Sequence, residues 1–408
     1  MKDYSAVGLT ILEQLLRVIA GIVIVGLVAR SLGVEKFGLF QYAVAIVGFF
    51  SSFSLIYGNE LLLPKLMKEN NNSVKLELLE NVFLIRIIAG FFSYISWLFY
   101  IYFFHKLSFD IVKYMGISII FFEGLSVTVS LMQSKGDFFT RAIYGIVGVI
   151  IKFIAVLALY VEKISEINAY SLVWILDSIF IAILLYFYLK NEHINVFNFK
   201  NISMSRINQL KIEILDGFWV WSSLVGMFLY LKLDRFFGVY LLDSSKFGSY
   251  AAAAQLMDNV FAIVTVISPF VAFKFYKNNG SFYLRPKYVT YVFMILLSCC
   301  IVTSIFSPLI INIIFGEKYE STANLLSVLI FEVILFCFVV FSNIIYIWKE
   351  RYKLIASRWI FAIVIWLIVS NSFGSEENSI IYANYTGLFT ILFLDIIIMS
   401  FSDKGIVK

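Results

Sequence analysis

Charge is scarce in this sequence. Asp, Glu, Lys and Arg make up 14% of its 408 residues, where soluble globular domains carry about 25%. That shortage excludes a water-facing surface. With 61% hydrophobic residues and a mean hydropathy of +0.90, the chain has too little polar side chain to cover itself and needs lipid as its solvent. Cysteine and histidine are scarce too. The three cysteines, Cys299, Cys300 and Cys337, all lie in apolar runs, and neighbours 299 and 300 point to different helix faces. They form no disulfide framework and no metal-ligand spacing, so they read as small hydrophobes. The two histidines, His105 and His193, fall between apolar runs and read as ordinary loop residues. A phosphate-cradling Gly-rich loop of Walker type is absent, which removes ATP as a direct energy source. No metal, cofactor or catalytic group is expected.

What the sequence has in abundance is long apolar runs, such as Ile22 to Val28, Ile146 to Tyr160 and Tyr291 to Phe306. A membrane β-barrel needs alternating segments of about ten residues; these runs are longer and do not alternate. Helices are then the simplest way to satisfy the backbone in hydrocarbon. At about 20 residues per span the length accommodates roughly twelve. The runs predict spans at 8–29, 38–60, 81–104, 113–133, 140–161, 169–189, 213–233, 248–272, 288–314, 323–346, 358–372 and 380–401. The first run has no small-residue cleavage site after it and reads as a retained helix. Trp97, Tyr100, Trp219, Trp221 and Trp348 lie near predicted span ends, where interfacial belts form.

The net charge of +5 is not a nucleic-acid footprint, because the basic residues do not cluster. They alternate between loops. One set holds Lys65, Lys68, Lys75, Lys135, Arg141, Lys190, Lys200, Arg206, Lys211, Arg285, Lys349, Arg351, Lys353 and Arg358, among others; the other holds Arg30, Lys36, Lys106, Lys163, Arg235, Lys246 and Lys318. The bias exceeds twofold, and the positive-inside rule then puts both termini in the cytoplasm and requires an even number of spans. The longest loop, about 190–212, is polar and basic, and predicts a cytoplasmic linker at 191–212 between an N-terminal six-helix half, 1–190, and a C-terminal one, 213–408.

A repeat supports those halves. Arg30-Ser31-Leu32-Gly33-Val34 precedes Lys36-Phe37-Gly38, and Arg235-Phe236-Phe237-Gly238-Val239 precedes Lys246-Phe247-Gly248, an offset of 210 from Lys36 to Lys246. Six helices per half make the repeat parallel, a plan that encloses a central cavity. The glycines also fit a plainer role, supplying freedom for tight turns between helices.

These residues resemble a known family. Leu12 to Arg17, followed by Ala29-Arg30-Ser31-Leu32-Gly33-Val34-Glu35-Lys36-Phe37-Gly38-Leu39-Phe40, resembles the opening R-x-L-G-x-x-x-(Y/F)-G-x-(Y/F) of polysaccharide flippases. Asp234 to Gly238 with Phe247-Gly248-Ser249-Tyr250-Ala251-Ala252-Ala253 resembles their second-half signature. The family is that of O-antigen and capsular repeat-unit flippases (Wzx type), in the superfamily of MATE exporters and lipid II flippases. The resemblance implies an all-α membrane fold of about 12 transmembrane helices, in two six-helix halves around a central cavity. It implies translocation of undecaprenyl-pyrophosphate-linked oligosaccharide across the bacterial plasma (inner) membrane by alternating access, coupled to an ion gradient. A polysaccharide polymerase and a chain-length regulator are the further partners it suggests.

Charges inside spans are costly and face a cavity or a partner. The cationic candidates for a pyrophosphate and sugar site are Arg17, Arg86, Lys152, Lys232 and Arg235. Arg17 leads, since a guanidinium binds two phosphate oxygens at once and the position matches an Arg in related flippases; alternatively it pairs with Glu13 on the same helix face. Arg86 could instead snorkel to the interface, Lys152 pair with a neighbouring acid, and Lys232, Asp234 and Arg235 form an interfacial network. The ion-coupling candidates are Glu123, Asp177, Asp258 and Glu332, each equally readable as a structural ion pair. The competing functions are a multidrug or cation exporter of the same fold, whose cavity would carry fewer cations, and a polysaccharide polymerase, whose long external loop is absent here.

Overall fold

The computed structural model describes residues 2–104, 114–192, 194, 204–277, 286–372 and 377–402. His105, His193 and 195–203 of the expected linker lie outside the described residues. The described residues are all helical or in short turns, with no strand. The helices are α1 (Lys2–Leu32), α2 (Val34–Ser54), α3 (Asn59–Lys68), α4 (Asn72–Phe104), α5 (Ile117–Leu125), α6 (Val127–Ser134), α7 (Phe138–Val161), α8 (Ile167–Asn191) and α9 (Met204–Tyr230). They continue as α10 (Leu233–Leu241), α11 (Ser244–Lys277), α12 (Pro286–Ile305), α13 (Ser307–Ile314), α14 (Glu320–Leu329), α15 (Glu332–Trp348), α16 (Tyr352–Ser372) and α17 (Glu377–Ser402).

Among the described residues nine helical stretches are long and apolar enough to cross a membrane, and two bent pairs bring the number to 11. The 34-residue α11 occupies the remaining place in the order, so the twelve expected elements are present. Two of these spans are bent, which the apolar runs do not show. The break between α12 and α13 turns the chain by 65° and has a cause in the sequence. Pro308 has no N–H and its ring clashes with the carbonyl four residues back; that carbonyl, of Ser304, accepts the Ser307 hydroxyl instead, at 2.9 Å. The break before α15 turns it by 45°, through tight bonds from Val333 N–H to the Ile330 carbonyl and from Ile334 N–H to the Phe331 carbonyl, both at 3.2 Å.

The chain packs as two compact units, Met1–Ile24 with Ala43–Phe228, and Val25–Tyr42 with Leu229–Lys408. The core of the first gathers Tyr57, Leu62, Leu79, Phe83, Leu131 and Leu185. Its outer faces are equally apolar, with Phe91, Phe92, Ile154 and Ile183 exposed, as lipid requires. Trp97 corrects the expectation of an interfacial ring. It is fully buried and packs edge-on against Phe50 at 5.8 Å, because the chain runs on helically past it to Phe104. Trp221 donates its indole N–H to the Phe53 carbonyl at 3.2 Å. Trp219 and Trp348 are exposed, as expected of a belt.

In the second unit the repeated motifs meet. Gly33 is a turn residue, at φ +73°, the left-handed region that ends helices. Gly38 and Gly248 are not. They lie inside α2 and α11 and touch: a Cβ on Gly38 would sit 2.9 Å from the Gly248 Cα, and one on Gly248 would sit 2.1 Å from the Val34 carbonyl oxygen. The reading of these two as turn glycines is therefore replaced by close helix approach. Arg30, expected to be a loop charge, is a helix clamp. It donates to the carbonyls of Ile314 at 3.1 Å and Ile313 at 2.5 Å, closing the C-terminal end of α13, where a cation is favoured.

Replacing Gly248 by Leu forces α2 and α11 apart and lowers stability by about 1–3 kcal/mol, read as a fall in the unfolding midpoint of the solubilised protein. Gly48→Ala meets no atom within 4 Å and leaves that midpoint unchanged or slightly raised. Equal effects from the two substitutions would contradict the close-approach assignment.

Candidate functional site

Buried charge concentrates where α9 ends. Lys232 closes the break between α9 and α10, and α10 then presents Asp234 and Arg235 one residue apart, so that their side chains reach different neighbours. Arg235 and Lys232 converge on one oxygen of Asp258, in α11, at 2.6 and 2.5 Å. Asp234 accepts the Tyr250 hydroxyl at 3.0 Å. Asn384, in α17, donates to the Tyr250 oxygen at 3.1 Å and accepts the Trp366 indole N–H at 2.7 Å. Asp234, Arg235, Tyr250, Asp258 and Asn384 line a small cavity, with Glu332 and the apolar Met257, Phe261 and Leu388 completing it. Arg235 and Asp234 are 2% and 6% exposed. The expected interfacial network is therefore a buried one, corrected because α10 turns these side chains into the helical packing. Glu332 opens α15 and is buried, and its Oε1 has no hydrogen-bond partner among the described residues. One cation, Arg235, and three acids thus line one cavity, and Lys232 joins them through Asp258.

The first unit holds the other candidates as separate pairs. Lys152 contacts Asp177 at 3.2 Å and lies 3.2 Å from the centre of the Trp174 ring, a cation–π contact that supports an amine taken out of water. Arg17 donates to Glu13 at 2.6 Å. Arg86 is 1% exposed and does not snorkel. It donates to the carbonyls of Ile56 at 3.2 Å and Tyr57 at 2.8 Å and to the Ser126 hydroxyl at 2.6 Å, so it holds the turn after α2. Glu123, on α5, feels the Arg86 charge. The structure brings Arg235, Asp258 and Glu332 to one cavity, with Lys232 held beside it by Asp258; Arg17, Arg86, Lys152, Glu123 and Asp177 stand in three other places.

One buried pair was missed. Arg358, read as a loop cation, is fully buried inside α16. It bonds Asp395 and Asn343, donates to Ser342 at 2.9 Å and lies over the Tyr346 ring at 4.4 Å. Asp395, an acid within a predicted span, was the available signal that a cation had to lie nearby. No group of three or more metal-ligating side chains occurs among the described residues.

A family model described as "Polysaccharide biosynthesis protein" matches residues 5–273. The chain belongs to that family. Among solved structures, the chain resembles a MATE-family multidrug resistance transporter of the MOP superfamily in an inward-facing conformation, with TM-score 0.67, 12% identity, and coverage of 96% of this chain and 99% of the other. It resembles the lipid II flippase MurJ in an inward closed conformation, with TM-score 0.66, 14% identity, and coverage of 94% and 87%. It also resembles the MATE multidrug transporter DinF-BH, with TM-score 0.65, 15% identity, and coverage of 97% and 94%. No curated protein sequence matches the chain. At such identities the likeness shows the fold, that of multi-pass membrane transporters and flippases.

The Asp258 pair gives a direct test. Asp258→Asn leaves Lys232 and Arg235 buried facing one remaining partner acid, Asp234, and destabilises by about 3–5 kcal/mol. Adding Lys232→Met to the same protein restores the balance of charge and recovers part of the loss. Unfolding midpoints of the three solubilised proteins check this; an unchanged midpoint in the single variant would show that the cluster carries no stability.

Proposed function

We propose that this protein is a flippase that moves undecaprenyl-pyrophosphate-linked repeat units of O-antigen, or of a similar surface polysaccharide, across the bacterial plasma membrane. The observation that carries the reading is the family match over residues 5–273, in a chain whose spans bury cations. The cargo has a sugar headgroup and a pyrophosphate that hydrocarbon excludes, and a polyprenyl tail that lipid accepts. A polar path between the sequence halves 1–190 and 213–408 shields the headgroup while the tail stays in lipid, and alternating access opens that path first to the cytoplasm, where both termini lie, and then to the outside.

Within this reading Arg17, Lys152, Lys232 and Arg235 supply positive charge for the cargo, and Arg86 holds the turn at Ile56 and Tyr57. Coupling falls to acids whose environment changes with the cycle. Glu332 is the best placed, with one carboxylate oxygen unpartnered in the same cavity as Asp234 and Asp258. A buried carboxylate there binds a proton or a sodium ion in exchange for the cationic partners that cargo draws away. Asp177 and Glu123, next to Lys152 and Arg86, are the corresponding candidates in the first unit. Polysaccharide polymerase and chain-length regulator are the partners such a pathway requires downstream.

Deleting the gene is expected to remove the surface polysaccharide and to accumulate single lipid-linked repeat units on the cytoplasmic side. Arg17→Ala is expected to do the same with the protein still inserted and abundant. Unchanged lipid-linked sugars together with altered drug sensitivity would overturn the flippase in favour of an exporter of the same fold.

A further inference from the structure

Arg17 lies against α7 at Gly145. A Cβ at Gly145 would sit 2.0 Å from the Arg17 Nη2 and 2.8 Å from the Glu13 Oε1. The ion pair therefore occupies the volume that any other residue at 145 would fill. One turn earlier on the same face of α7 stands Arg141, at the spacing that makes helix neighbours. Read from sequence it was a loop charge; in the structure it is the fourth residue of α7, and its charge acts on both Glu13 and Arg17. The acid at the nearby helix start, Asp137, is engaged as the cap of that helix, accepting the Thr140 N–H at 3.2 Å.

The result is one carboxylate among two guanidinium groups. Glu13 is 3% exposed, whereas the Arg17 side chain is 41% exposed. A guanidinium has five N–H donors. Glu13 takes one of those of Arg17 at 2.6 Å, and the Arg17 Nε is enclosed without a hydrogen-bond partner among the described residues. A single carboxylate neither balances two positive charges nor uses their donors. An anion with more oxygens and more charge does both, and planar guanidinium forks match phosphate oxygens two at a time.

We infer that Arg17 and Arg141 form one binding site for the pyrophosphate of a lipid-linked cargo, with Gly145 as its floor and Glu13 as the internal anion that the cargo displaces. This rests on the flippase reading and adds Arg141, Gly145 and Glu13 to it, each with a different task. Arg141 is the second cation. Gly145 sets how close the Arg17 guanidinium lies to α7. Glu13 pairs with Arg17 and offsets part of the charge of Arg141 until a better anion arrives, so an empty carrier does not leave both arginines without a counter-charge.

The test is direct binding to the full-length protein in nanodiscs, with farnesyl diphosphate and inorganic pyrophosphate as separate probes. Wild type is expected to bind farnesyl diphosphate, and to bind inorganic pyrophosphate more weakly. Losing charge-assisted hydrogen bonds by Arg141→Ala or Arg17→Ala is expected to weaken binding about tenfold or more. Arg141→Lys keeps part of it, which separates lost charge from lost folding. Gly145→Ala weakens binding by evicting the Arg17 guanidinium. Glu13→Gln, which removes the competing anion, tightens it; a pair that merely held the helices together would show no gain. If wild type binds farnesyl diphosphate and Arg141→Ala binds it equally well, the two-arginine site is wrong and the flippase reading stands. Looser binding in Glu13→Gln would overturn the displaced-anion role, and equal binding of the two probes would overturn a lipid-linked ligand. If wild type binds neither probe, the pyrophosphate site is wrong, and the flippase reading stands or falls separately on the lipid-linked sugars of the deletion strain.

Discussion

A charge taken into hydrocarbon has to bring its counter-charge or its hydrogen-bond partner with it, since removing it alone from water costs far more than a fold of ordinary stability can supply. Most of what distinguishes this protein follows from how that requirement is met. In the second unit Lys232 and Arg235 share Asp258, while Asp234, Tyr250 and Asn384 form a chain of hydrogen bonds beside them. Arg358 and Asp395 repeat the solution between α16 and α17. In the first unit Lys152 takes both Asp177 and the face of Trp174, and Arg86 spends its donors on backbone carbonyls and a hydroxyl. Such pairs are weak sources of stability when replaced wholesale by apolar side chains, but breaking one side of them is costly. Their retention inside spans fits a protein that must present charge to a passing anion and neutralise it again when the anion leaves.

The second constraint is close approach. Helices that cross in lipid gain from small residues at the contact, and the contact of Gly38 with Gly248 brings together corresponding positions of the two repeated motifs. The neighbouring contacts are of the same kind. Arg30 closes the end of α13, and Tyr319 donates to the Ala29 carbonyl at 3.0 Å. Both hold the end of α1 in the second unit. Gly145 does for Arg17 what Gly248 does for Val34, giving up its own side chain so that another group can lie against the helix.

Hydrophobicity and loop charge made the membrane fold and a number of about twelve helices legible before any coordinates. They were legible because each depends on averages over twenty residues or on sequence distance. The bends were not, although Pro308 marks one of them in hindsight. Side-chain partnerships were the least legible. Arg141 and Arg358 looked like loop cations because they sit within a turn of a span end, where sequence alone does not separate a residue facing water from one facing a neighbouring helix. Trp97 looked interfacial for the same reason. The acids gave better clues: Glu13, Asp177, Asp258 and Asp395, all within predicted spans, each required a cation close by, and each has one. The cavity residue Asn384 carries no charge and left no trace in the pattern, and Tyr250 stands in the second-half motif without a charge to mark its role.

The central claim is that the protein carries a pyrophosphate-linked sugar through the membrane. The most direct measurement is reconstitution of the purified protein into liposomes containing a fluorescent undecaprenyl-pyrophosphate-linked oligosaccharide, with access of an external enzyme to the sugar followed over time. The account predicts that sugars starting in the inner leaflet become accessible in the presence of the protein and stay protected in protein-free liposomes. Protection that persists with intact, correctly inserted protein under both proton and sodium gradients would contradict it.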